Sequence, residues 1–190
     1  MNQLRIIDER KTITGDEHLG LAEAKEWLRV TFTDDDTIIT ALIKSVRASI
    51  EDYCSISIVE KEIIVEVELA QPNNRDNARF ELPYGPVSGN IEVSYQDGYK
   101  STDWATKELD EDYYIDGLDY PSISSFVCGR YRLSYDAGFA DGQCPDQLIH
   151  AMKVELAERY ERRGDAADQR KISESARKIA QPFKRMIWVM

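Results

Sequence analysis

The stretch Ser134–Asp165, SYDAGFADGQCPDQLIHAMKVELAERYERRGD, contains the point where the chain changes from β to α periodicity. Its first residues continue a strand pattern, a loop with Gly138 and Gly142 follows, and a helical pattern begins after Pro145. Proline suits the first turn of a helix, because the N–H that it lacks would have no partner there. The pattern therefore predicts a turn that leads from a β region into a helix.

A glycine loop before a helix can also hold a phosphate on the N–H groups of the helix N-terminus. A phosphate loop of the Walker type needs a lysine and a hydroxyl residue behind its glycines, and GFADGQCP has neither. A dinucleotide fingerprint needs a parallel βαβ unit. Because Asp136, Asp141 and Asp146 would also repel a phosphate, we interpret Gly138 and Gly142 as turn residues only.

Upstream of this turn, residues 60 to 135 show the period of two that is typical of strands. In EKEIIVEVELA, apolar Ile63, Val65 and Val67 alternate with Glu66 and Glu68, as in a strand with one solvated face. Further strands are predicted in RFEL, IEVSYQDGYK, DYYIDG and GRYRLSYDAG. No helical segment separates them, so the sequence predicts antiparallel pairing.

Segments with the periodicity of helices lie on both sides of this β region. LAEAKEWLRV predicts a short helix, and TIITALIKSVRASIEDYC predicts a long one with Lys44, Arg47 and Glu51 on its polar face. Thr33 is predicted to cap the long helix with Asp36 three residues on, in a capping box. After Pro145, an apolar stripe predicts a further helix. The last segment, residues 171 to 187, should be interrupted at Pro182.

These patterns predict an α+β fold in a single domain, residues 1–190. Its helical core would comprise about 19–55 and 145–187, and its long antiparallel β insert about 60–140. Residues 4–7 would form an edge strand or an arm.

Composition narrows the class of protein. The chain is 42% hydrophobic and has no apolar run long enough for a membrane span, so no membrane partner is expected. Its charged N-terminus does not resemble a signal peptide, and its three cysteines are widely spaced, which favours a reducing cytosol. A net charge of −11 disfavours tight binding of nucleic acid, although an acidic chain can surround DNA that slides past it.

No motif in the sequence indicates an active site. There is no G-x-S-x-G elbow, and His18 and His150 have no partner at metal-ligand or nucleophile spacing. The acidic run Asp34, Asp35 and Asp36 directly precedes a strong helix, so we attribute it to capping and not to a metal. We therefore predict no catalytic residue, no metal ligand and no cofactor.

The order of the motifs resembles the small head–tail connector, or adaptor, proteins of tailed bacteriophages. The features that carry the resemblance are the leucine- and alanine-rich helix Leu21–Val30, the acidic cap and long helix Thr33–Cys54, the strand end Tyr135–Phe139, the Pro-capped helix Pro145–Met152, and Tyr160–Arg163. They span residues 19 to about 164, and the long β region is similar to longer phage proteins described as possible DNA-packaging proteins.

The resemblance implies a non-enzymatic virion protein, from a phage or a prophage, at the head–tail junction after assembly in the host cytoplasm. Such proteins form a ring, expected to be dodecameric, below the portal protein, where they extend the DNA channel and dock the tail-completion protein. The alternative is a small phage DNA-packaging accessory or a regulator associated with nucleic acid.

The C-terminus is the predicted contact with a neighbouring subunit or the portal. Phe183, Ile187, Trp188 and Val189 form an apolar tail behind the Pro182 break, and a soluble monomer does not normally expose such a segment. The alternative is that the tail folds back on its own core.

Overall fold

The computed structural model describes residues 4–69, 78–96, 103–106, 113–125, 129–162 and 172–185. Within them the fold is α+β, which confirms the predicted class. The described residues form two compact units. A β unit comprises residues 4–14 and 60–138, and a helical unit comprises residues 15–59 and 139–185. That the whole chain is a single domain stays a prediction.

The β unit contains two antiparallel sheets. The larger sheet has the strand order β1-β2-β8-β4-β5, formed by Leu4–Ile13, Lys61–Leu69, Gly129–Ala137, Glu92–Gln96 and Ala105–Thr106, respectively. The smaller sheet has the order β3-β7-β6, formed by Ala78–Glu81, Ser122–Ser125 and Tyr113–Asp116, respectively. Every pairing between these strands is antiparallel, as the sequence predicts.

The core of the β unit lies on one face of β2 and β8. Ile63 and Val65 of β2 are buried beside Leu133 and Tyr135 of β8, because alternate side chains of a strand point to the same face. The hydroxyl of Tyr135 donates a hydrogen bond to the carbonyl oxygen of Pro83. The predicted period of two therefore defines the buried face.

The N-terminal segment is an edge strand, which confirms one of its two predicted states. β1 pairs with β2 and lies at the end of the sheet order. It continues to Ile13, beyond the predicted end at Ile7, because backbone pairing with β2 extends through the charged residues 8–11. Its register shifts between Ile6 and Asp8, where the strand bulges.

The helical unit contains four α-helices and a final 3₁₀ turn within the described residues. They are α1 (Leu21–Leu28), α2 (Asp36–Cys54), α3 (Asp146–Glu161) and α4 (Glu174–Ala180), followed by the 3₁₀ turn Gln181–Phe183. The α-helical hydrogen bonding ends before Pro182, which confirms the predicted interruption.

The predicted capping box of α2 is wrong. The N-cap is Asp35, and no side chain caps the helix. Thr33 lies two residues earlier and contributes only its carbonyl oxygen, 3.1 Å from the N–H of Asp36. The carboxylate of Asp36 instead accepts a bond from Lys25 Nζ at 2.5 Å, and Asp35 accepts one from the Tyr160 hydroxyl. These carboxylates thus join helices to one another.

The turn that leads from β8 to α3 has the backbone that glycine favours. Gly138 has φ 133° and Gly142 has φ 71°, in a region that other residues rarely occupy. Pro145 is the N-cap of α3, one position before the predicted first turn. The interpretation of these residues as a turn is therefore supported by their geometry.

Candidate functional site

Two buried ionic clusters hold the helical unit together, and the first corrects the predicted polar face of α2. Arg47 and Glu51 are only 4% and 5% exposed. Arg47 Nη1 lies 2.7 Å from Glu51 Oε2, and its Nε bonds to Glu17 at 2.9 Å. The second Glu51 oxygen accepts the N–H of Ile58 at 2.7 Å. Each of these buried charges has a partner, which offsets the free-energy cost of removing it from water.

The second cluster joins three helices. Glu155 and Arg159 of α3 are 2% and 5% exposed and form an ion pair at 2.8 Å. Arg159 also donates to the hydroxyls of Ser45 and Ser49 on α2, both at 2.9 Å. Glu155 accepts the N–H of Ser173, the N-cap of α4, at 2.8 Å. The charged groups of this cluster bond to residues of the same unit, so we interpret the cluster as one that stabilises the fold.

The first exposed surface, which we name the α1–α2 surface, consists of Glu26, Trp27, Phe32, Asp34 and Ile38. Its three apolar side chains are 44%, 51% and 44% exposed, respectively. The Trp27 ring is held edge-on to the ring of His150, with centroids 5.7 Å apart. Exposed aromatic side chains of this size are common in protein–protein interfaces.

The second exposed surface, which we name the α4 surface, consists of Tyr53, Arg177 and Lys184. The guanidinium carbon of Arg177 lies 5.3 Å from the centroid of the Tyr53 ring, and Lys184 Nζ lies 4.8 Å from it. Two cations therefore share one half-buried ring, and both remain exposed. This surface is basic, although the chain as a whole carries a net charge of −11.

The outer face of the larger sheet carries a small cleft of about 180 Å³, lined by Asp8, Arg10, Ile64, Glu66 and Arg132. Arg132 pairs with Glu66 at 2.6 Å, and its guanidinium lies 4.3 Å from the centroid of the Trp104 ring. The lining mixes both signs of charge. Its charge pattern thus selects neither an anion nor a cation.

Of the predicted contact residues in the C-terminal tail, the structure describes one. Phe183 is half-buried at the end of the 3₁₀ turn. Ile187, Trp188 and Val189 lie outside the described residues. The backbone N–H of Arg185 donates a hydrogen bond to the carbonyl oxygen of Cys54 at 2.9 Å and so joins the chain, between Phe183 and Ile187, to the end of α2.

No group of three or more His, Cys, Asp or Glu residues in the described part of the chain could hold a metal ion. No helix there is long and apolar enough to cross a membrane.

The two described cysteines lie in the core of the helical unit, and burial suppresses their ionisation. Desolvation raises the pKa of Cys54 to about 11 and that of Cys144 to about 12. Because the thiolate is the reactive form, we expect iodoacetamide to label neither residue in the folded chain at about pH 8. Both should react after denaturation, and peptide mapping by mass spectrometry distinguishes them from Cys128, which lies outside the described residues.

The same pKa shifts predict the dependence of stability on pH. Unfolded cysteines ionise near pH 8.5, whereas the folded ones stay protonated to about pH 11. The free energy of unfolding should therefore be unaffected by these thiols below about pH 8 and fall as the pH rises towards 11. The double variant Cys54→Ala/Cys144→Ala is the control and should show a smaller fall. An equal fall in the double variant would contradict this prediction, and rapid labelling of Cys54 in the folded chain would contradict the labelling prediction.

Comparison with known proteins finds a similar fold over nearly the whole chain and a match to a family model over part of it. The α+β fold of the chain is similar to that of a chain in the neck of an empty GTA particle, computed with C6 symmetry. The two share 17% identity over 97% of this chain and 98% of the other, with a TM-score of 0.68. A chain of the virion of a native gene transfer agent (GTA) particle has 17% identity, coverages of 98% and 97%, and a TM-score of 0.65.

The match to a family model lies in the N-terminal half of the chain. Residues 19–82 match the family model of the phage gp6-like head-tail connector protein. This segment begins before α1 and ends after β3, so the match confirms the predicted resemblance to head–tail connector proteins in this part of the chain. No curated protein matches the chain.

Proposed function

We propose that this protein is a structural component of a phage-like particle, a head–tail connector that forms a ring between portal and tail. The observation that carries the proposal is the match of residues 19–82 to the connector family. Similarity of fold to a neck chain over 97% of this chain supports it. In this role the ring, dodecameric on a twelve-fold portal, extends the DNA channel and presents a docking surface to the tail-completion protein.

The surfaces of the helical unit suit assembly. Trp27, Phe32 and Ile38 are each more than two-fifths exposed, although burying such side chains stabilises a chain by about 1.5–3 kcal/mol each. Because these side chains are already about half-buried, a partner protein that covers them would gain about half of this free energy from each. In addition, an acidic chain would let passing DNA slide and would not bind it tightly.

The apolar tail is the proposed contact with the portal or with a neighbouring subunit. Phe183 is its first residue, and the bond from Arg185 to Cys54, two residues later, lies at the end of α2. A chain truncated after Arg185 keeps that bond and removes Ile187, Trp188 and Val189. Phe183→Ala tests the remaining tail residue separately.

The experiment locates the chain in assembled particles. Antibody-gold labelling of purified particles should mark the junction of head and tail, and mass spectrometry should find the chain in them. The truncated chain should fold, by circular dichroism, yet be missing from particles that are produced in its presence. Wild-type chain that is absent from particles, or spread over the capsid, would refute the connector role; truncated chain that is incorporated normally would refute only the role of the tail.

A further inference from the structure

The α1–α2 surface and the α4 surface lie at opposite ends of α2. Ile38 is in the first turn of this helix and Tyr53 in its last. At about 1.5 Å per residue, they are about 22 Å apart along the helix axis. The bond from Lys25 to Asp36 holds the end of α1 beside the start of α2, so Glu26 and Trp27 belong to the first end. The two surfaces are too far apart to contact each other within one copy.

The two surfaces carry opposite net charge, although exposed Arg29 follows Trp27 in the sequence near the first and exposed Asp52 precedes Tyr53 near the second. Glu26 and Asp34 are exposed on the first, and Arg177 and Lys184 are exposed on the second. Among the described residues, none of these four side chains takes part in an ion pair. Each surface thus offers charges that could pair with the other.

The dipole of α2 explains part of this arrangement. Anions are stabilised near the N-terminus of a helix, which suits Asp34. The last turn of α2 has no basic residue of its own, and the cations near that end, Arg177 and Lys184, come from α4 and the segment after it. The dipole does not explain why Trp27, Phe32 and Ile38 are exposed at the acidic end. A partner that brings cations and an aromatic ring to this end would satisfy both features, since its cations would pair with the carboxylates and its ring would cover the exposed apolar side chains.

We infer that the α4 surface of one copy binds the α1–α2 surface of the next copy of this chain. Arg177 and Lys184 would then face Glu26 and Asp34, and Tyr53 would lie against the exposed apolar side chains. An interface between two different surfaces adds copies in one direction and can close into a ring. The inference rests on the proposed ring and names the surfaces that build it.

Charge reversal tests the inference on the full-length chain. Arg177→Glu/Lys184→Glu makes both surfaces acidic, and Glu26→Lys/Asp34→Lys makes both basic. Because opposed like charges disfavour an interface strongly, each variant should lose at least about a hundredfold in self-association, measured by analytical ultracentrifugation and light scattering. Self-association of the wild-type chain should also weaken as salt is added.

A mixture of the two variants gives the sharpest test. In an equimolar mixture, alternating copies place opposite charges at every interface, so self-association should return to near the wild-type level. A single chain with all four substitutions should also associate with itself. Lys44→Glu/Lys178→Glu is the matched control, because it changes the net charge equally at exposed sites outside both surfaces and should leave self-association within about threefold of wild type.

Several outcomes would overturn the inference. These are a wild-type chain that stays monomeric at the highest concentration reached, an equal loss in the control, a variant that loses nothing, or a mixture that is not rescued. Loss of salt-sensitive DNA binding in Arg177→Glu/Lys184→Glu, with self-association unchanged, would assign the α4 surface to nucleic acid and also overturn it. Labelling of particles tests the proposed connector function separately, so failure of one idea does not imply failure of the other.

Discussion

Arg159→Met is expected to lower the free energy of unfolding by about 3–5 kcal/mol, because it leaves a buried carboxylate without its cation. Glu155 is 2% exposed, and its remaining described hydrogen bond is with the N–H of Ser173. Methionine fills a similar volume, so loss of packing contributes little. The same substitution also removes the bonds to Ser45 and Ser49 that join α3 to α2. Denaturant unfolding followed by circular dichroism measures the change.

The matched control is Lys178→Met. Lys178 and Glu174 form an ion pair at 2.8 Å with the same spacing of four residues on a helix, but their side chains are 72% and 81% exposed. Exposed pairs contribute little, so this variant should change the free energy of unfolding by about 0.5 kcal/mol or less. Equal effects of the two substitutions would mean that burial does not determine the importance of the Glu155–Arg159 pair.

Leu133→Ala is expected to lower the free energy of unfolding by about 2–5 kcal/mol, the range for removing a large aliphatic side chain from a packed core. Leu133 is fully buried on β8, which pairs with β2 on one side and β4 on the other. The neighbouring strands fix the backbone, so the cavity cannot collapse easily. Ser134→Ala, on the opposite face of the same strand, should change stability by only about 0.5 kcal/mol.

Leu133 and Arg159 lie in different units, so the two variants together also test the predicted single domain. In a cooperative single domain, both substitutions lower the midpoint of one shared unfolding transition. Two transitions, each shifted by only one of the substitutions, would contradict that prediction and define two separately folding units.

Side-chain periodicity predicted the elements whose two faces differ most. The alternation in β2 and β8 gave the correct type of element and the correct buried face, whereas the helical period of α2 gave the correct type of element but only part of its buried face. β7 was missed, because its sequence SISS has only Ile123 to indicate a buried face. β5 was also missed, since two residues, Ala105 and Thr106, are too few to show any period.

Charged side chains were the main source of error. Arg47 and Glu51 were assigned to the polar face of α2 because such residues are rarely buried unless they are paired. Arg47 and Glu51 pair with each other along α2, but their further partners, Glu17 and the N–H of Ile58, come from segments outside the helix, so only the folded chain shows why the pair is buried. For Glu155 and Arg159, the sequence did contain an indication of burial. They continue the spacing of Leu148 and Met152 along the buried face of α3.

The edge strand β1 has a consequence for how newly made copies of the chain behave. An exposed strand edge can pair with the edges of other chains, and bulges and charged side chains prevent this. β1 has both, a bulge between Ile6 and Asp8 and four consecutive charged residues at positions 8–11. Such a strand resists indiscriminate pairing between chains. A crowded pool of newly made copies would therefore avoid fibrous aggregates and remain available for ordered assembly.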